Sequence, residues 1–152
     1  MEDAFYGDNF LPEAIRGKLS KKDIEMLSPI VLAYVGDGVY EVFIRNVIVS
    51  RGIWQPKRLH KESVSFVRAK AQAELLEAVK EDFSEEESDV VRRGRNAKSG
   101  TIPKNAEMMD YKNATGFEAL IGYLYLLGRY GRLKEIFEKV LIARENIENT
   151  KG

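Results

Sequence analysis

Residues 28–49 read SPIVLAYVGDGVYEVFIRNVIV, and the fold turns on how this stretch is placed. As a helix it is apolar around nearly every side, the pattern of a central helix in a bundle. It is predicted to run from about Pro29, a residue suited to a first helical position, to Ser50, with Gly52 as its stop. Asp37 stands in the middle, between Gly36 and Gly38. Each glycine costs roughly 1 kcal/mol in a helix interior relative to alanine. A buried carboxylate is expensive unless it is paired or bound to metal. A core helix that accepts such local penalties is where a functional site is expected. The bland alternative is a structural aspartate bonded to a base or a backbone amide, with the glycines allowing close helix packing.

A second stretch, ATGFEALIGYLYLLG at 114–128, is also apolar nearly all round, and Glu118 is its only acid. Taken alone, Glu118 reads as a helix-edge glutamate paired with Lys112 or Arg129. Taken together, the two stretches are core-type helices with one isolated carboxylate each. Antiparallel packing would set the acids face to face. That arrangement suits a hard cation such as Mg2+, which often takes one or two carboxylates, keeps several waters and uses substrate phosphates for the rest.

Outside these stretches the chain also reads as helical, with no clean period-two alternation. Pro12 opens a short helix ending near Lys18, and Ser20 caps the segment KKDIEML. After a turn at Trp54-Gln55-Pro56, one helix is predicted from about Pro56 to Lys80, with Leu59, Val64, Val67, Ala71, Leu75 and Val79 at helical spacing. The next starts near Ser84, with Glu87 as its capping-box partner, and ends near Gly94 or soon after. Residues 95–109 contain Gly100 and Pro103 and read as a loop. Two further helices cover about 110–128 and 130–147. The expectation is an all-α helical bundle forming a single domain over 1–152, without internal repeats.

Composition narrows the function classes. The chain has no cysteine, so disulfides, thiolate zinc sites and a cysteine nucleophile are excluded. No signal peptide is visible in MEDAFYGDNFLPEAI, and no apolar run approaches the ~20 residues of a membrane span. A cytoplasmic protein without a membrane partner is expected. The 24 Lys+Arg balance 24 Asp+Glu, but the charges are segregated. Residues 81–91 hold six acids and no base, and residues 92–104 hold five bases and no acid. The basic run RRGRNAKSGTIPKN supplies Arg92, Arg93, Arg95, Lys98 and Lys104 among small polar residues, a composition suited to gripping phosphates. A solvated loop is the alternative, and the glycine spacing excludes a P-loop. Lys57, Lys61 and Arg68 add a basic stripe within about 40° on one helix face, with ordinary salt bridging as its alternative. His60, the single histidine, reads as a helix-surface residue. Glu41, one turn after Asp37, either joins the site or pairs with Arg45. Tyr123 and Tyr125 read as core or subunit interface.

Four segments carry a family resemblance. LAYVGDGVYE at 32–41 and TGFEALIGYLYL at 115–126 resemble the two signature helices of ribonuclease III. LHKESVSFVRAKAQAELL at 59–76 and RRGRNAKSGTIPKN at 92–105 resemble the Mini-ribonuclease III subgroup, which lacks a double-stranded-RNA-binding domain. The resemblance covers about residues 22–147. It implies the ribonuclease III endonuclease-domain bundle and a homodimer that cuts double-stranded RNA with magnesium, leaving 5′-phosphate and 3′-hydroxyl ends. By position, Asp37 matches the family's essential aspartate and Glu118 its essential glutamate, both as catalytic residues and as metal ligands. Two further acids of the family pattern are replaced by Ala33 and Thr115; Glu41 and Glu62 are candidates for an additional ligand. The implied substrate is the precursor of large-subunit (23S) ribosomal RNA, with a large-subunit ribosomal protein as helper. The alternatives are a non-catalytic RNA-binding or ribosome-associated member of the same fold, and a helical protein-interaction module.

Overall fold

The computed structural model describes residues 18–97 and 107–151. The helix expected after Pro12, most of the 95–109 loop, and Lys98 and Lys104 lie outside the described residues. All regular structure among the described residues is helical: α1 (Lys21–Glu25), α2 (Pro29–Ser50), α3 (Pro56–Val67), α4 (Ala69–Val79), a 3-10 turn (Lys80–Asp82), α5 (Glu85–Asn96), α6 (Met108–Leu126) and α7 (Tyr130–Lys151). None of them is long and apolar enough to cross a membrane.

Helix boundaries follow local chemistry. Ser20 and Ser84 each form a full capping box, with Asp23 and Glu87 respectively. Ser28 accepts a hydrogen bond from Ile30 N ahead of Pro29. Positive-φ glycines follow α2 and α6: Gly52 (φ 80) and Gly128 (φ 73). There a side chain would strain the backbone.

The center of the bundle is α6, which packs against α2, α4, α5 and α7. Its residues from Phe117 to Leu124 are buried except Glu118, which is half-buried. Helix α2, expected at the center, instead lies on one side. Leu32, Ala33, Gly36, Tyr40, Ile44 and Ile48 form its buried stripe. Val31, Tyr34, Val42 and Val49 remain exposed, at 44%, 82%, 62% and 51%. The hydrophobic pattern of α2 was apolar on both faces, and the monomer covers only one. Between the helices, Tyr40 meets Phe117 edge-on at 5.4 Å and Phe43 stacks on Phe137 at 4.0 Å.

The continuous helix expected from Pro56 to Lys80 breaks at Arg68, whose backbone is extended (ψ 151). Periodicity persists across the break, so the sequence pattern did not reveal it. Carbonyls of the last turn of α3 find donors elsewhere. Arg144 Nη1 donates to Ser65 O at 3.0 Å, the Tyr40 hydroxyl to Phe66 O at 3.4 Å, and Gln72 Nε2 to Val67 O at 2.7 Å. Side chains of α7, α2 and α4 thus satisfy acceptors that a helix end leaves open.

Candidate active site

Helices α2 and α6 cross at two glycines. A Cβ on Gly36 would lie 1.7 Å from the Glu118 carbonyl oxygen, and one on Gly122 would lie 1.9 Å from the Leu32 carbonyl oxygen. No side chain fits at either position, so backbone meets backbone. Leu32 opposes Gly122, while Gly36 opposes Glu118, so the helices run in opposite directions here, as the sequence suggested. Gly38 is different, because among the described residues nothing lies within 4 Å of the place its Cβ would occupy. The close-packing explanation for the glycines holds at Gly36 and fails at Gly38.

The crossing sets Asp37 beside Glu118. Asp37 is exposed, so the expectation of a buried aspartate is corrected: it sits on the rim of the crossing. The bulk of α6 still removes enough water to raise its carboxyl above the ordinary aspartate value, and Glu41 adds to the shift. Glu118 lies deeper. Burial, then the charge of Asp37, pushes it up to about 8, with Glu41 contributing in the same direction and a hydrogen bond from the Gln72 amide opposing. Among the described residues, neither Asp37 nor Glu118 forms an ion pair. Of the bases named as possible partners of Glu118, Arg129 pairs instead with Glu86 at 2.7 Å. Two acids whose carboxyls are both raised, and which pair with no cationic side chain among the described residues, suit a bound dication.

Glu41 combines both of its expected roles: it pairs with Arg45 at 3.3 Å, and its charge reaches both Asp37 and Glu118. The two replaced family acids contribute nothing in their place. Ala33 is buried, and the Thr115 hydroxyl donates to Tyr111 O at 3.0 Å within its own helix. The Glu62 carbonyl accepts from Ser65 Oγ, and among the described residues no hydrogen bond joins its carboxylate to the pair. Among the described residues no group of three or more His, Cys, Asp or Glu side chains is arranged around a metal. The candidate site is therefore read as the two carboxylates of Asp37 and Glu118, with the charge of Glu41 felt at both.

The basic residues divide. Lys57 and Lys61 are exposed on α3, and Arg68 is exposed at the α3–α4 junction. With the helix broken there, helical phase no longer assigns Arg68 to the same face. Arg92 pairs with Asp89, and half-buried Arg93 donates to Leu27 O at 3.5 Å. Arg95 is exposed near the end of α5, its stem against Gly116 of α6. His60 is exposed, Tyr123 is buried with its hydroxyl donating to Glu86, and Tyr125 packs on Tyr130. The residue that sequence reasoning did not single out is Gln72, 2% exposed beside Glu118. Its signal was a polar residue in phase with the buried Leu75, Leu76 and Val79.

Comparison with known proteins bears on the family and the fold. Residues 30–129 match the family model of the Ribonuclease III domain. A Mini-ribonuclease 3 of Thermoanaerobacter sp. is 53% identical over 120 residues, covering 79% of this chain and 84% of its own. Another, from Clostridium tetani, is 42% identical over 153 residues, covering 100% of this chain and 95% of its own. An X-ray structure of a Fusobacterium nucleatum protein superposes with a TM-score of 0.72 at 33% identity, covering 80% of this chain and 98% of that one.

Proposed function

The chain belongs to the ribonuclease III family and is an endoribonuclease; from that premise we propose that it cuts double-stranded RNA with Mg2+ held between Asp37 and Glu118. The observation that carries the proposal is the uncompensated acid pair at the Gly36–Gly122 crossing. Both carboxylates are oxygen ligands of the kind magnesium takes, and two are enough when waters and phosphate oxygens complete the set. When bound, the ion supplies an activated water and stabilises charge on the scissile phosphate. Glu118 anchors from the half-buried side. Asp37, on the exposed rim, stands where a phosphate can approach. With Ala33 and Thr115 supplying no carboxylate, waters and substrate phosphates would complete the set.

Two further features support the reading. The exposed apolar face of α2, with Val31, Tyr34 and Val42, suits a two-fold contact with a second copy. A homodimer provides two sites, one for each strand of a duplex. Lys57, Lys61, Arg68 and Arg95 provide exposed cations for phosphates, and the sequence adds Lys98 and Lys104. Arg92 and Arg93 contribute less, because they are engaged within the protein. A-form RNA suits such a surface, since it offers phosphates and 2′-hydroxyls rather than a readable deep groove. The family resemblance favours the cytoplasmic 23S ribosomal RNA precursor as substrate, with a large-subunit ribosomal protein as helper.

The test is incubation of the protein with long duplex RNA and Mg2+. Cleavage to products with 5′-phosphate and 3′-hydroxyl ends is expected, and chelation should abolish it. Binding without cleavage would select a non-catalytic RNA-binding role instead.

A further inference from the structure

We propose that Gln72 is a positioning residue of the cation site, an amide built into the bundle to hold the Glu118 carboxylate. The inference rests on the reading of Asp37 and Glu118 as that site.

Gln72 is 2% exposed on the buried face of α4, among Ala71, Leu75, Leu76 and Val79. An amide in such company is costly unless its hydrogen bonds are made. One N–H of Nε2 is spent on Val67 O at 2.7 Å, across the α3–α4 break. An amide nitrogen carries two hydrogens, and the buried amide stands close enough to the Glu118 carboxyl to favour its charged form. The junction on which it rests is held from three helices, through Arg144, Tyr40 and Gln72 itself. Gln72 is thus tied to fixed backbone through its amide nitrogen, and the same amide faces the acid.

Capping Val67 alone does not call for this residue. Its Oε1 is buried and meets no donor among the described residues, an uncommon condition in a folded interior. A helix-capping role gains nothing from that oxygen. A cation site does, because waters brought by the ion carry hydrogens. The amide is also neutral. A lysine or arginine here would compensate Glu118 and compete with an incoming cation, whereas a third acid would raise Glu118 further. With Ala33 and Thr115 supplying no ligand, a neutral group that orients Glu118 without altering the site's charge is the support the pair has available.

The probe is Mn2+, titrated without RNA into the full-length protein and followed by the electron paramagnetic resonance signal of the free ion. Gln72→Met keeps the length of the side chain and removes the amide. The affinity for Mn2+ is expected to fall about 10- to 100-fold, while the metal-free variant stays folded by circular dichroism at the titration temperature. A purely structural role would lower the melting temperature and leave the affinity of the folded protein unchanged; that result overturns the inference. Should Gln72→Met not fold, Gln72→Asn retains an amide and withdraws it by one methylene, with the same loss expected and unchanged affinity again decisive against the role. Asp37→Asn is the control. Wild-type affinity no better than that of Asp37→Asn would remove the cation reading and this inference with it, and so is distinct from failure of the Gln72 role alone.

Discussion

Glu87, 4% exposed on α5, and Glu118, half-buried on α6, are two acids met by opposite surroundings. Burial alone would raise the carboxyl of Glu87. Arg132 meets it through Nε and Nη2, both at 2.8 Å, and the Ser84 backbone amide donates at 2.8 Å. These contacts outweigh desolvation and hold Glu87 below the ordinary glutamate range. Glu118 has burial and the charge of Asp37 against it, and only the Gln72 amide in its favour. One acid is closed by a cation from its own chain. The other is open to a cation from outside. The first arrangement ties the start of α5 to α7; the second leaves a raised carboxyl, a cost that the proposed cation would relieve.

The two acids should respond oppositely to pH. The stabilisation from Glu87 is present above its ordinary value of 4.5 and is lost as pH falls through its depressed pKa. The contribution of Glu118 in metal-free protein is present below 4.5 and is lost as pH rises toward about 8.

The largest expected effect comes from breaking the crossing that creates the open acid pair. Gly36→Ala forces a methyl group into the Glu118 backbone and should cost about 4 kcal/mol or more, measured by urea unfolding. A loss below about 1 kcal/mol would mean that the helices can part without penalty. Next, Arg132→Met strands Glu87 as a buried acid without its cation, with an expected loss of about 3–5 kcal/mol. Because Arg132 lies outside the candidate site, the rate of duplex cleavage per folded molecule should be unchanged; a specific fall in that rate would blur the distinction between the two acids.

Glu118→Gln should do the reverse. In chelator at pH 8.5 or so, it is expected to raise the melting temperature by roughly 5 °C, the order produced by about 1–2 kcal/mol in a domain of this size. The gain should vanish near pH 4, where the native carboxyl is protonated. A variant less stable than the parent at both pH values would make Glu118 a structural residue. The smallest effect is at Gly38, where open space awaits a Cβ. Gly38→Ala should stabilise metal-free α2 by about 0.5–1 kcal/mol, and destabilisation would reveal a contact that the monomer does not make.

The open pair was legible in the sequence because Asp37 and Glu118 are isolated acids in apolar runs, and the capping box of Ser84 and Glu87 because its partners lie three residues apart. The closed pair was not, since Arg132 follows Glu87 by 45 residues and nothing local couples them. The break at Arg68 was hidden for a similar reason: the donors that make it tolerable come from α2, α4 and α7. Helix α2 shows what periodicity omits. Val31, Tyr34 and Val42 have the pattern of a core, but periodicity does not say whether the covering surface belongs to the same chain. Asp37 is exposed because it stands at the rim of the α2–α6 crossing rather than in the buried stripe of α2.

The central claim is that Asp37 serves chemistry rather than folding. Its most direct test is the single-turnover rate of duplex-RNA cleavage by Asp37→Asn, at saturating Mg2+ and with enzyme in excess. The account predicts a fall on the order of a thousandfold, equivalent to about 4 kcal/mol of lost transition-state stabilisation, in a protein that melts near the wild-type temperature and still binds duplex RNA in Ca2+. A rate within tenfold of wild type would contradict it.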